Sequence, residues 1–186
     1  MTLPAIQHRR VTESDRDTLL SMRKSCGWGS NRIDSYLSEP TMATYLFYCS
    51  SEDGQEQPVG MGCLVFDLPG DPAMASREKG TIAIASLFVY PESRASGVGN
   101  QVFTILERLA IEDYGAKTLA VDTRAYEIPW ASEGETSYLK KWYERRGYVE
   151  FRPAERRYDQ NGPPDCADSP DKSVLLYACF LRKEVA

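Results

Sequence analysis

Two glycines one residue apart stand where an apolar stretch gives way to a helical pattern. Gly97 and Gly99 follow the apolar run 86–90 and Arg94, and helical periodicity begins near Asn100. Because glycine has no side chain, an anion can approach this backbone closely, and the first turn of a helix offers it unpaired N–H groups and a positive dipole end. Arg94 can add a fixed positive charge. The stretch predicts a phosphate-binding turn, with a simple flexible connection as the alternative.

Two common phosphate motifs do not fit this stretch. A Walker-type loop needs lysine and then serine or threonine after its last glycine, whereas Gly99 is followed by Asn100 and Gln101. A dinucleotide-binding fingerprint needs a third glycine three residues after the second, and Val102 stands there. A nucleotide-binding module of another kind stays open as an alternative.

Two motifs together carry a resemblance to a known family. Residues 94–99 read Arg-Ala-Ser-Gly-Val-Gly, which resembles the acyl-CoA loop of the GCN5-related N-acetyltransferase (GNAT) family. The preceding residues 87–92 are similar to that family's strand ending in Val-x-Pro-Glu. About 50 residues later, residues 143–148 resemble the family's Tyr-x-x-x-Gly-Phe/Tyr motif. On this pair of motifs, in this order, the chain is identified as a member of the GNAT family, and the resemblance covers nearly its whole length.

The resemblance implies an acetyl-CoA-dependent N-acetyltransferase. Acetyl-CoA would be the co-substrate, and the acceptor would be a primary amine of a small molecule or a peptide N-terminus that attacks the thioester directly. Backbone N–H groups near Phe88 and Val89 would stabilise the oxyanion if the strand splays open after Val89. The residues expected to contact acetyl-CoA are Leu87, Phe88, Val89, Arg94, Ala95, Ser96, Gly97, Val98, Gly99 and Asn100.

The same resemblance casts Tyr143 as the general acid beside the CoA sulfur. A phenol has a pKa of about 10 and a thiol one of about 8.5, so proton transfer from the phenol to the thiolate costs roughly 2 kcal/mol. A tyrosine positioned beside the sulfur can offset that cost. The alternative role for Tyr143 is that of a core aromatic beside Trp142.

The general base is left open. The strand-like stretch 81–90 carries no carboxylate, although many relatives have a glutamate there, and Glu78 and Glu92 only flank it. The missing carboxylate leaves a non-catalytic CoA-binding sensor on the same fold as an alternative function. The groups that could line a water chain for the proton are Ser86, Tyr90, Asp122 and Thr123.

The acceptor site is expected in the elements that vary most within the family. These are two short helices joined by a turn at Gly27–Gly29, an insert at 125–134, and a long loop at 156–172. Trp28 could instead anchor its turn in the core. The aromatic residues expected to contact the acceptor are Trp28, Tyr36, Tyr126 and Trp130.

Composition sets outer limits on organisation and partners. A chain of 186 residues with 42% hydrophobic residues is most simply one domain, spanning 1–186. A net charge of -5 argues against nucleic acid as a partner. No apolar run approaches a membrane span, and the first ten residues lack the apolar core of a signal peptide, so we expect a soluble, cytoplasmic protein without a membrane partner. A homodimer stays open.

The cysteines predict neither a disulfide framework nor a metal site. They are odd in number and widely spaced, and His8 is the single histidine. Three of them, Cys49, Cys63 and Cys179, lie in apolar runs and are expected in the core. Cys26 and Cys166 lie in polar stretches, where exposure is expected.

The elements that must position these groups follow the order β α α β β β α β α β β. That order agrees with the GNAT fold, an α/β (α+β) fold with a mixed, mostly antiparallel sheet of about seven strands and about four helices. Gly115 is expected to end the helix that begins at Asn100, and a capping box at 132–135 is expected to begin the later one. Gly60 and Gly62 predict a bulge or a close neighbour.

Overall fold

Seven strands form one mixed sheet in the order β1-β2-β3-β4-β5-β7-β6. The computed structural model describes residues 5–50, 55–94, 96–128, 132–158 and 176–185. Neighbouring strands are antiparallel except β4 and β5, which are parallel. The predicted fold class and mixed sheet are confirmed. The strands are β1 (Ile6–Arg10), β2 (Met42–Ser50), β3 (Glu56–Val65), β4 (Thr81–Val89), β5 (Thr118–Arg124), β6 (Val149–Tyr158) and β7 (Leu176–Glu184).

Five α-helices lie within the described residues, one more than expected. The additional one is a single turn after β4, where Pro91 occupies the first helical position that proline favours; a loop was expected there. Two 3-10 turns, Glu13–Asp15 and Ser30–Arg32, precede the first two helices. The helices are α1 (Arg16–Ser25), α2 (Ile33–Ser38), α3 (Pro91–Arg94), α4 (Val98–Glu112) and α5 (Tyr138–Arg145).

Four of the five described helices cover the two faces of the sheet in pairs, and the single-turn α3 has no buried residue. Side chains alternate between the faces along a strand, and on β2 the buried Leu46 packs with α1 and α2 while Phe47 packs with α4 and α5. We call these the α1/α2 face and the α4/α5 face. None of the helices in the described part of the chain is long and apolar enough to cross a membrane.

Helix α4 packs unusually close to the sheet. A Cβ at Gly62 would lie 2.6 Å from a methyl carbon of Leu106, so the glycine on β3 makes room for the helix. The expected close neighbour is therefore confirmed. After α4 ends, Gly115 adopts a left-handed backbone with φ 67°, as predicted.

Helix α5 begins later than predicted. The capping box at 132–135 is wrong, because Glu127 donates its N–H to the carbonyl of Glu135 at 2.9 Å and draws this stretch into a loop. Ser137 caps the helix instead: its hydroxyl oxygen accepts the N–H of Lys140 at 3.1 Å.

Two further expectations need correction. Cys26 is buried rather than exposed, because α1 ends there and its thiol donates to the carbonyl of Arg23. Strand β6 continues to Tyr158, so the loop that was expected from residue 156 begins later. Cys63 and Cys179 are buried as predicted, and Cys49 is half-buried. Cys166 lies outside the described residues.

Candidate functional site

A gap opens in the middle of the sheet between β4 and β5. The two strands pair only over Thr81–Ala83 and Thr118–Ala120. Beyond Ala83, β4 stays paired with β3 while β5 stays paired with β7, so the neighbouring edges of β4 and β5 separate. Separation was expected only after Val89. It begins earlier because a bulge in β4 intervenes, and a bulge bends its strand.

The bulge is centred on Ser86. Its φ of 51° is the single positive value among the described non-glycine residues. Ala85 pairs with Cys63 and Phe88 with Met61, so Ser86 and Leu87 both stand opposite one residue of β3, Gly62. The sequence signal at Gly62 therefore marked both a close neighbour and a bulge.

Beyond the bulge, the amide of Val89 faces the gap. Tyr90 donates its N–H to the carbonyl of Val59 on β3 at 3.0 Å. Backbone polar groups alternate between the two edges of a strand, so those of Val89 point away from β3. In agreement, the Val89 carbonyl accepts a hydrogen bond from Arg94 Nε at 2.9 Å. An N–H directed into a gap is a suitable donor for a developing oxyanion.

Two backbone donors in the first turn of α4 have no acceptor in the described part of the chain. Gly97 precedes the helix with a left-handed φ of 78°. Asn100 and Gln101 both donate their N–H groups to its carbonyl. For the N–H groups of Val98 and Gly99, no acceptor is found among the described residues. A helix N-terminus of this kind binds anions.

No contact with the described residues requires a glycine at position 99. Its φ is not left-handed, and a Cβ built there would meet no described atom within 4 Å. This space, beside amide donors with no described acceptor, fits a phosphate group, which must approach the backbone closely. The geometry is therefore consistent with the predicted pyrophosphate turn.

Several other residues expected to contact acetyl-CoA form hydrogen bonds within the protein. Besides its bond to Val89, Arg94 places its guanidinium 5.8 Å from the centre of the Phe88 ring, and no described carboxylate pairs with it. The Ser96 hydroxyl donates to the carbonyl of Ser93 at 2.9 Å. Asn100 accepts the indole N–H of Trp142 at 3.0 Å and so joins α4 to α5. Leu87 packs half-buried on the α4/α5 face, and Ala95 lies outside the described residues.

Tyr143 is a buried phenol whose hydroxyl has no hydrogen-bond partner among the described residues. Its ring lies 5.3 Å from that of Phe103 in the core of the α4/α5 face. Burial raises its pKa, and the negative charge of Asp122 on β5 raises it further. The phenol therefore keeps its proton and can donate a hydrogen bond to an acceptor placed beside it. Because its pKa is raised, transfer of that proton to a thiolate is more uphill than the roughly 2 kcal/mol expected for an ordinary phenol.

Two of the four aromatic residues expected at the acceptor site lie together, on the α1/α2 face. Tyr36 donates its hydroxyl to Ser86 Oγ at 3.0 Å, and half-buried Trp28 packs in the same cluster. Burial raises the pKa of Tyr36. Tyr126 packs instead against Tyr177 in the cluster of the α4/α5 face, with ring centres 6.3 Å apart. Trp130 lies outside the described residues.

The candidate groups for proton removal come from both strands that border the gap. Ser86 lies on β4 and Asp122 on β5, where its carboxylate is 3.5 Å from Nε of Arg157. Thr123 is buried, and Tyr90 packs edge-on against Phe88. Among them Asp122 supplies the carboxylate that β4 itself lacks.

Arg23 is a candidate site residue that the sequence analysis did not single out. It is 5% exposed, and it donates hydrogen bonds to the hydroxyl of Tyr36 and to the carbonyl of Gly29. A signal for it was present, because Arg23 follows Leu19 by four residues and so falls on the apolar side of α1.

Comparisons with known proteins agree with this description. The family model described as "Acetyltransferase (GNAT) family" matches residues 13–148. The fold is similar to that of the ribosomal-protein-S18-alanine N-acetyltransferase from Escherichia coli, with a TM-score of 0.66, 14% identity and coverage of 98% of this chain and 95% of that one. None of the curated protein sequences matches the chain.

Two further solved structures share the fold at low identity. One is Arabidopsis thaliana NAA60 in complex with a bisubstrate analogue, with a TM-score of 0.67, 12% identity and coverage of 98% and 100%. The other is the dodecameric spermidine N-acetyltransferase from Vibrio cholerae, with a TM-score of 0.67, 9% identity and coverage of 96% and 93%.

Proposed function

Because the chain belongs to the GNAT family of acetyltransferases, we propose that it transfers an acetyl group from acetyl-CoA to a primary amine of a small molecule or peptide, by direct attack of the amine on the thioester. Acetyl-CoA supplies the thioester whose carbonyl carbon receives the amine. The separation of β4 and β5 after Ala83, together with two amides of α4 that have no acceptor among the described residues, is the observation that carries this proposal.

The chain offers a separate group for each requirement of the donor half. The amides of Val98 and Gly99 would bind the pyrophosphate, with the charge of Arg94 nearby. The N–H of Val89, directed into the gap, would stabilise the oxyanion as the carbonyl oxygen gains charge. The hydroxyl of Tyr143 would give its proton to the departing sulfur.

The acceptor half must take a proton from the attacking amine, which is charged in water. Asp122 is the carboxylate that borders the gap, and we assign it as the base, acting through water. Ser86 borders the gap from β4 and would order that water.

A substitution at Gly99 tests the donor half without disturbing the fold. Leucine favours a helix over glycine by about 0.8 kcal/mol, and position 99 has room for a side chain. Gly99→Leu should therefore leave the melting temperature of the free protein unchanged or higher, while raising the Kd for coenzyme A at least ~30-fold in calorimetry and abolishing acetyl-CoA-dependent thiol release.

Gly70→Leu is the matched control, because Gly70 also has open space and no left-handed φ but lies in the turn before β4. It should leave the Kd for coenzyme A unchanged. Equal coenzyme A affinities of Gly99→Leu and the unsubstituted protein would contradict the proposed donor site.

A further inference from the structure

The α1/α2 face contains a buried cation, Arg23, for which the described residues supply no counterion. The guanidinium of Arg23 lies 5.4 Å from the ring centres of both Trp28 and Tyr36. In the described part of the chain no carboxylate forms an ion pair with it. Burying a charge without a partner of opposite sign is costly, and aromatic faces and neutral acceptors offset only part of that cost.

Arg23 also has N–H groups that donate to no described residue. A guanidinium has five N–H groups. Arg23 uses one on the carbonyl of Gly29 and one on the hydroxyl of Tyr36, so three have no acceptor among the described residues. The side chain lines a cavity of about 570 Å³ that Trp28 and Gly29 also line. A planar donor fork beside open space suits a carboxylate, which can accept two parallel hydrogen bonds.

The described lining of this cavity is positive, because it includes Lys24 beside Arg23 and contains no carboxylate. A cationic ligand would therefore meet repulsion here, whereas an anion would be attracted.

The cavity is connected to the bulge at the gap by a short chain of hydrogen bonds. Arg23 donates to the hydroxyl of Tyr36, and Tyr36 donates to Ser86 Oγ. These two hydrogen bonds link the arginine that lines the cavity to the bulge that borders the proposed reaction site.

We propose that Arg23 binds the carboxylate of the acceptor, so that the acceptor is an amino acid whose amine lies a few bonds from its carboxylate. This rests on the proposed function and narrows its acceptor class. Polyamines, which carry only positive charge, are disfavoured by the same contact. Arg23 thus acts as a specificity-determining residue.

Matched pairs of acceptors test the assignment. Acetyl-CoA-dependent thiol release is measured with each standard L-amino acid and with its primary amide, and with spermidine. We expect at least one amino acid to exceed its amide in kcat/KM by tenfold or more, with spermidine below both. Arg23→Gln should lower kcat/KM for that amino acid 10- to 100-fold and change that for the amide less than threefold, because only the acid loses its charged partner.

Controls separate recognition from a structural role. Arg16→Gln removes a positive charge from the exposed side of the same helix and should preserve the preference for the acid. Arg23→Lys keeps the charge and loses the fork, so an intermediate preference is expected. If Arg23→Gln is poorly folded, its affinity for coenzyme A falls too. The preference of Arg23→Lys for the amino acid over its amide then tests the proposal.

Different results would overturn the role of Arg23 and the proposed acetyl transfer. Equal turnover of acids and amides, or a preference for spermidine, overturns the role of Arg23 and leaves acetyl transfer intact. An equal loss for acid and amide in Arg23→Gln also overturns it. Absence of thiol release with every amine overturns the proposed function itself.

Discussion

Two buried charges on opposite faces of the sheet are treated in opposite ways. On the α4/α5 face, Glu107 is 8% exposed and receives hydrogen bonds from Arg146 at 2.6 Å, Lys183 at 3.1 Å and Tyr148 at 3.1 Å. On the α1/α2 face, Arg23 is equally buried and contacts a hydroxyl, a carbonyl and two aromatic rings.

The difference separates structure from function. The partners of Glu107 come from the end of α5, from β7 and from the loop before β6, so the carboxylate ties several elements to α4 and has little capacity left for a ligand. Arg23 ties α1 to its own following loop and to α2, and it retains donors. A charge satisfied by the chain holds a fold together, while an unsatisfied one is available for binding.

The largest expected effect is the loss of stability on substitution of Glu107, the buried charge whose partners lie within the protein. Glu107→Gln removes the negative charge from beside Arg146 and Lys183 and leaves the largely buried Arg146 without its carboxylate, so we expect a loss of about 3 kcal/mol in the free energy of unfolding. Urea denaturation at constant m-value measures it. Glu112→Gln, at an exposed 4.0 Å pair on the same helix, should stay within about 0.5 kcal/mol. Equal losses would remove the structural role of Glu107.

Two neighbouring buried tyrosines show the same contrast between a polar group with a described partner and one without. Tyr148 has a partner in Glu107 and Tyr143 has none among the described residues, although both are buried. Tyr143→Phe removes no described hydrogen bond, so stability should hold while turnover falls about 100-fold, as expected for loss of a general acid. Steady-state kinetics and coenzyme A affinity measured together are the check, and a parallel loss of affinity would count against the acid role.

The control is Tyr148→Phe, which leaves Glu107 short of one donor. It should lower stability by about 1 kcal/mol and leave turnover nearly unchanged. A reversal of the two phenotypes would place the catalytic hydroxyl at Tyr148 instead.

The smallest effect concerns the start of α1, which carries Arg23. Asp15 accepts two hydrogen bonds from Arg9 and one from the Thr12 N–H, and the contact with Arg9 lowers its pKa to about 2. Since the folded pKa lies below the unfolded one, this stability is present above about pH 4 and is lost as pH falls towards 2. We expect about 1 kcal/mol, because Arg9 is half exposed and solvent screens the pair.

Acid titration of the unfolding free energy measures this contribution. Asp15→Asn should remove it between pH 4 and 2, and Asp17→Asn, on the exposed side of the same helix, should preserve it. If Asp17→Asn flattened the titration as much as Asp15→Asn, the contribution would belong to another group.

Local patterns predicted the elements that local chemistry controls. The apolar stripe of α4, its end before Gly115 and the bulge signal at Gly62 all follow from neighbours in sequence or from the lack of a side chain, and the structure confirms each one. The capping box at 132–135 failed because its glutamate, Glu135, found a backbone partner in Glu127, and such pairing is invisible to a pattern of residue types.

The candidate site was predictable only in part, because it depends on contacts between distant segments. The glycine turn and Tyr143 follow from motifs, whereas the left-handed Ser86 has no residue-type signal, since serine rarely adopts that conformation. Likewise, Arg94 was expected to face a phosphate, but its Nε binds the Val89 carbonyl, which follows from the path of the chain. The position of Arg23 on the apolar side of α1 was readable from the sequence, but its link to the bulge depends on the hydrogen bonds from Arg23 to Tyr36 and from Tyr36 to Ser86.

The three residue pairs that join β4 to β5 have a mechanical consequence. The sheet has two parts, β1–β4 and β5–β7, which are hydrogen-bonded to each other only at one end. Further along, both parts share a hydrophobic core with the apolar side chains of α4. The opening is therefore lined by main chain from both parts of the sheet, and a molecule that enters it would meet backbone polar groups of β4 on one side and of β5 on the other.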